Sequence, residues 1–247
     1  MTVTRIQTLS PLMRRITLQG DELDGFDAPD AASYIKLIFP EPGQAEPDRP
    51  LPDTPRPKAM RTYTPQAVRT GDREVDVDFV LHGVGPASTW AAQAVVGQVI
   101  YLMGPGPGYK QAVEPGPLWL IGDDSALPAF ETILSRQPEA STVHVMVEVV
   151  DAAESRALPS PAKVTTEWLP RGGDNTQAGT ALEAALRAST PPPADARIYL
   201  ACEAGAMRRL RLLLINDLGV GKARIVGRGY WKLETANHPD HDYGDDA

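Results

Sequence analysis

The chain has 247 residues, of which 42% are hydrophobic, a formal net charge of −8 and a single cysteine, Cys202. This length suits one large domain or two small ones, and the apolar share is too high for a disordered chain. The acidic balance, with no run of five or more basic residues, gives no reason to expect nucleic acid as a partner, and a lone thiol excludes an internal disulfide and cysteine-based zinc or iron–sulfur centres.

The opening MTVTRIQTLS lacks the apolar stretch of a signal peptide, and no segment reaches about 18 apolar residues. The expectation is a cytoplasmic protein with no membrane insertion. Short strands are predicted at Val3–Leu9, Arg14–Gly20, Ser33–Phe39, Arg61–Thr64, Glu74–His82 and Gln98–Met103, separated by turn-forming clusters. Regular short strands of this kind predict an antiparallel barrel or sandwich. One helix, Gly85–Ala94, interrupts them. After MGPGPGYKQAVEPGP the pattern changes to apolar strands alternating with helices: LWLIGD, a helix over Ala126–Arg136, TVHVMVEVVD, KVTTEWL, a helix over Thr180–Arg187, RIYLACE, a helix to Leu218, and ARIVG. That alternation predicts a parallel sheet covered on both faces. In the last helix Met207, Leu210, Leu214 and Leu218 share one face, and Arg208, Arg209 and Arg211 fall mainly outward. The expected fold is therefore an antiparallel β domain, residues 1–112, followed by an α/β domain, residues 113–247.

Several segments carry chemistry. In RTYTPQ, Arg61 and Tyr63 share one side of a strand: a guanidinium can clamp a phosphate, and a tyrosine ring can cover a flat heterocycle. Pro65 keeps Thr64 extended and is expected to end the pairing. In EVDVDFVLH, Val75, Val77, Phe79 and Leu81 make the core face, leaving Asp76, Asp78, Val80 and His82 on a face that reads as solvated. The following HGVGPASTWA has Gly83 and Gly85 in a turn that opens a helix, with Pro86, Ala87, Ser88 and Thr89 behind it, leaving backbone N–H groups that suit a pyrophosphate or an ordinary cap. The GxGxG of MGPGPGYK is rejected as a dinucleotide motif, since Tyr109 stands at the third glycine and Pro105 and Pro107 remove donors; it reads as an interdomain turn. LWLIGDDSALPAF is the better nucleotide candidate, with Gly122 followed by Asp123, Asp124 or Ser125 as cap and Pro128 in the first helical turn; ACEAGAM, with Cys202 and Glu203, lies at another strand end. Cys202 itself reads as packing. The tail offers His238, Asp240, His241 and Asp242 at metal-compatible spacing, but its polarity favours a solvated terminus.

Taken in order, RTYTP, DFVLHGVGPASTWA, GDDSALPA, ACEAGAMRRLR and GRGYWK resemble the siderophore-interacting proteins, FAD-dependent ferric-siderophore reductases of the ferredoxin-reductase-like superfamily. The resemblance spans nearly the whole chain and implies an FAD-holding β-barrel followed by a domain for NADPH or NADH. It implies that Arg61 meets the flavin pyrophosphate, with Thr62 beside it, that Tyr63 stacks on the isoalloxazine, and that Thr64 bonds near the ring's reactive edge. It further implies that Val80 and His82 line the FAD site, that Gly85, Pro86, Ala87 and Ser88 cradle the pyrophosphate, and that Tyr230 and Trp231 close over the site. Gly122, Asp123, Asp124, Ser125, Cys202 and Glu203 would face NAD(P)H. Gln66 stands where the family commonly has arginine, and LETANHPD follows GYWK where many members continue with a basic or glycine residue. Arg56, Lys58 and Lys232 are left as cations for an anionic ferric siderophore. Asp151 would favour ribose hydroxyls and Arg156 a 2′-phosphate, so the nucleotide stays open. A ferredoxin-fed reductase, a general flavin reductase and a non-catalytic ferric-siderophore binder are the alternatives, and the oligomeric state is not readable.

Overall fold

The structure, a computed structural model, describes residues 1–26, 30–50, 55–83, 85–110, 114–172, 177–235 and 238. The chain divides into two compact units, Met1–Lys110 and Gln111–Ala247. The expected sequence of an antiparallel β part followed by a parallel α/β part is the one the chain adopts.

In the first unit, β1 (Thr2–Ser10), β2 (Met13–Gln19), β5 (Pro65–Arg69) and β6 (Glu74–Val80) form an antiparallel sheet in the order β1-β2-β6-β5. A second sheet, β4-β3-β7, contains β3 (Tyr34–Ile38), β4 (Met60–Tyr63) and β7 (Tyr101–Gly106). Their inward faces share one core, with Val3, Ile16, Leu18, Ile35, Leu37, Val75, Val77 and Phe79 all fully buried. Trp90 of α1 (Pro86–Gln93) closes that core, its ring 5.2 Å from Phe39 and 5.7 Å from Phe79.

Three local expectations are corrected here. Pro65 does not end the pairing: β4 pairs with β3, Thr64 intervenes, and β5 pairs with β6 with Pro65 opposite Val77. The missing N–H suits a point where the chain leaves one sheet for the other. The GPGPG segment is not only a turn, because β7 runs through Gly106. Close approach explains its glycines, since a Cβ on Gly106 would lie 2.1 Å from the Tyr34 ring and one on Gly108 2.5 Å from the Ala31 carbonyl. The polar face of β6 is not solvated either. Asp76 and Asp78 are 5% and 1% exposed. Arg15 holds Asp78 with two bonds of 2.7 and 2.8 Å, while Arg69 spans Asp76 and Glu74 and Thr17 donates to Asp76 at 2.7 Å. Such charges can be buried because each meets a partner of opposite sign with bidentate geometry.

The second unit is a five-stranded parallel sheet in the order β10-β9-β8-β11-β12. Its strands are β8 (Pro117–Asp123), β9 (Thr142–Val149), β10 (Lys163–Pro170), β11 (Arg197–Glu203) and β12 (Ile225–Trp231). The helices are α2 (Leu127–Leu134), α3 (Thr180–Ala188) and α4 (Ala204–Asn216). Trp119, Ile121, Met146, Ile198, Leu200 and Cys202 pack with α3 and α4, whereas Tyr199 meets Phe130 of α2 edge-on at 6.3 Å. Arg211 departs from its expected outward position and is 4% exposed. The strand order turns back between β8 and β11, and ligands of such sheets bind outside the carboxyl ends at that point.

Because the Asp78 side chain is fully buried against a quarter-exposed Arg15, Asp78→Ala leaves a cation without its partner and is expected to cost about 3 kcal/mol. The Asp21–Arg73 pair, 91% and 48% exposed, sets the contrast: Asp21→Ala should stay within about 0.5 kcal/mol of the parent in urea unfolding.

Candidate functional site

The first candidate site is built on β4 and the turn before α1. Arg61 lies opposite Leu37 in the sheet, at the end of the inward face. Its Nη1 donates to the Lys58 and Met60 carbonyls, each at 2.9 Å. Among the described residues no protein group accepts from Nε or Nη2. The guanidinium is thus anchored at one corner, and partial burial lowers its pKa. The Tyr63 ring packs 4.5 Å from Phe79 and meets Phe39 edge-on at 6.2 Å, so the core fixes one side of it while part stays accessible. Burial raises its hydroxyl pKa strongly. Thr62 stands opposite Lys36 on the other face of the strand, and Thr64 is buried.

The turn after Val80 leads to the start of α1. Ser88 Oγ accepts from the backbone N–H of His82 at 3.0 Å and of Gly83 at 3.2 Å, folding the turn back over the helix start. Gly85 has φ 86°, a left-handed value that favours glycine, and Pro86 occupies the first turn. Gly85 at its start brings no side chain to cap it, and among the described residues no side chain is seen to accept from the N–H groups of Ala87 or Ser88. The helix dipole leaves such groups positive. His82 is exposed, and partial burial of its ring and then the Arg61 charge lower its pKa. Arg61, His82 and the α1 start supply donors of the kind that suit a diphosphate, and the partly open Tyr63 ring on the same strand as Arg61 suits a planar ring system. These residues fit FAD.

The second unit looks different at its strand ends. Asp123 and Glu148 are register partners on β8 and β9, 1% and 0% exposed. Asp123 accepts from the backbone of Ser125 and of Glu203, each at 3.0 Å, and from Trp231 Nε1 at 2.8 Å. It therefore ties together the ends of β8, β11 and β12. Glu148 accepts from the N–H groups of Gly179 at 2.8 Å and Ala181 at 3.0 Å, at the start of α3. Glu203 caps α4, accepting from Ala206 N at 2.7 Å, and also receives Leu233 N at 3.3 Å. Arg171 lies 3.3 Å from Asp124 and 3.9 Å from Glu148. Burial raises the carboxyl pKa of Asp123 and of Glu148; in Asp124 burial, then Asp123, push it up to about 7. Gly122 is required by packing, since a Cβ there would lie 2.1 Å from the Ala201 carbonyl. The Cys202 thiol is buried, and burial pushes its pKa well up.

The remaining sequence candidates are dispersed. Arg56, Lys58 and Lys232 are exposed, and the Tyr230 hydroxyl meets that of Tyr199 at 2.9 Å. Asp240, His241 and Asp242 lie outside the described residues; among those described, no three His, Cys, Asp or Glu groups are placed to hold a metal ion. No helix among them is long and apolar enough to cross a membrane. Sequence reading missed Glu148 and Arg171. The available signal was a charged residue near the end of an otherwise apolar strand, VHVMVEVV.

An acid whose pKa is raised on folding contributes stability below its unfolded value and loses it as pH rises to the folded value. For Asp124 that window runs from the ordinary carboxylate range up to about 7. Asp124→Asn should unfold at a higher temperature than the parent at about pH 8, with the gap shrinking toward about pH 5; a gap that widens on acidification would contradict the raised value.

Comparison with known proteins agrees with these two halves. Residues 2–109 match the siderophore-interacting FAD-binding domain, and residues 117–234 match the siderophore-interacting protein domain. The ferric vibriobactin reductase ViuB of Vibrio cholerae is 32% identical over 250 residues, covering 96% of this chain and 91% of that protein. The NADPH-dependent ferric-chelate reductase of Escherichia coli is 31% identical over 179 residues, 68% of this chain and 70% of that one. The crystal structure of the siderophore-interacting protein SipS from Aeromonas hydrophila superposes with a TM-score of 0.81 at 31% identity, over 96% of this chain and 92% of that one. The chain belongs to the siderophore-interacting protein family.

Proposed function

We propose that this protein is an FAD-dependent reductase that takes electrons from NADPH or NADH and reduces a ferric siderophore, releasing ferrous iron. The observation that carries the reading is the donor set of the first unit: the start of α1, where Gly85 brings no capping side chain, and an arginine anchored through one nitrogen. Bound FAD supplies the exchange between a two-electron hydride donor and a one-electron ferric acceptor. Arg61 and the amides of Ala87 and Ser88 would hold its diphosphate, with Gly85 and Pro86 shaping the approach and Val80 and His82 beside it. Tyr63 would carry the flavin ring on a surface made rigid by Phe39 and Phe79, and Thr62 and Thr64 would flank it. Within the second unit Trp231 is pinned by Asp123. The donor would meet the second unit at the strand ends around Gly122, Asp123, Asp124, Ser125, Cys202 and Glu203.

The reaction balances as one NAD(P)H reducing two ferric chelates, with one proton released. Ferric iron here is cargo, held by the siderophore and not by protein ligands. Exposed Arg56, Lys58 and Lys232 would draw an anionic chelate toward the protein. The similarity to ferric-siderophore and ferric-chelate reductases supports this substrate class. Such chemistry belongs in the compartment that keeps pyridine nucleotides reduced, the cytoplasm.

The test is the anaerobic visible spectrum of the FAD-loaded protein. NADPH or NADH should bleach the flavin bands, and a ferric siderophore should restore them while a ferrous chelator develops colour. Bleaching by reduced ferredoxin alone would replace the donor. A protein that takes up no flavin, or a reduced flavin that leaves ferric siderophore untouched, would overturn the reading.

A further inference from the structure

The helix starts at the carboxyl end of the parallel sheet are where a dinucleotide's phosphates would ordinarily be received. In this chain several of those donors are already taken by its own carboxylates. Both oxygens of Glu148 accept N–H groups at the start of α3, from Gly179 at 2.8 Å and Ala181 at 3.0 Å. Glu203 accepts Ala206 N at 2.7 Å at the start of α4. Asp123 accepts Ser125 N at 3.0 Å in the 3-10 turn that leads into α2. All three are buried, at 0%, 7% and 1% exposure, so they are parts of the packed structure and cannot swing aside. The other sequence candidates for nucleotide recognition are also spent internally. Asp151 accepts Ala153 N at 2.8 Å, and Arg156, the candidate for a 2′-phosphate, pairs with Glu131 at 2.6 Å. A phosphate brought here would have to displace a buried carboxylate and then lie among Asp123, Asp124 and Glu148, whose cationic neighbour Arg171 is already 3.3 Å from Asp124 and 3.9 Å from Glu148.

We propose that Glu148, Glu203 and Asp123 are specificity-determining residues of the reductase: built-in anions that hold the phosphate positions of the α/β unit, so that the electron donor is selected through its nicotinamide end and its diphosphate and adenosine go unrecognised. The inference rests on the reductase reading for the identity of the donor. It requires that the protein treat NADH and NADPH alike, because Arg156, the sequence candidate for the 2′-phosphate that separates them, is paired with Glu131. It also requires that donors cut back to the nicotinamide half remain competent.

Two measurements on the full chain loaded with FAD test it. In calorimetry, ADP-ribose and 2′,5′-ADP should show no saturable binding up to about 1 mM; a dissociation constant in the micromolar range for either would overturn the proposal. In anaerobic stopped flow, the second-order rate constants of flavin reduction by NADH, NADPH and reduced nicotinamide mononucleotide should agree within about threefold. A loss of about 100-fold for the mononucleotide, or a preference of that size between NADH and NADPH, would overturn it as well. Calorimetry needs no turnover. A protein that binds no flavin or leaves ferric siderophore unreduced therefore counts against the reductase reading, while a micromolar ADP-ribose site counts against this one.

Discussion

Every α-helix begins with N–H groups that its own backbone cannot satisfy, and what satisfies them divides the two halves of this chain. At α1 no side chain among the described residues is seen to do so, and Arg61 of the same unit is bonded through Nη1 alone. At α3 and α4 the donors are met by buried Glu148 and Glu203. The same element, placed after a strand in both units, is thus left open to an anion in one and filled by a fixed anion in the other. The rest of the functional architecture depends on that difference.

Buried charge shows the same logic. Asp78 and Asp76 are tolerated inside the first unit because arginines reach them with paired, short bonds. Asp123, Asp124 and Glu148 gather at the strand ends of the second unit around Arg171. There backbone amides and an indole N–H meet Asp123 and backbone amides meet Glu148, Arg171 meets Asp124, and burial still raises all three pKa values. A group of like charges at the switch point of a parallel sheet is costly to assemble. It persists here because Asp123 also ties β8, β11 and β12 together and orients Trp231.

The alternation of Val75, Val77 and Phe79, and the shift to apolar strands separated by helices, made both halves of the fold legible in the sequence, because period and burial are local properties. What stayed hidden was non-local. Whether Asp76 and Asp78 face water depends on Thr17, 59 residues before Asp76, and Arg15, 63 residues before Asp78, so the alternation alone read that face as solvated. β5 was missed because Pro65 signals a strand end, whereas its pairing is set by β6. The role of Glu148 depends on Gly179, 31 residues on. Gly106 reads as part of a turn and Gly122 as a nucleotide-site glycine, whereas close approach to Tyr34 and to the Ala201 carbonyl demands them. The RTYT and HGVGPAS segments can be proposed as a site from the sequence because each carries its chemistry within a few consecutive residues.

The most direct measurement is the affinity of the flavin-free full chain for FAD and for riboflavin, followed by quenching of flavin fluorescence. If the α1 start and Arg61 receive the diphosphate, FAD should bind at least about 100-fold more tightly than riboflavin, and Arg61→Ala should remove most of that gap while sparing riboflavin. Nearly equal affinities for the two, or a gap that Arg61→Ala leaves intact, would contradict the placement of the phosphate site in the first unit.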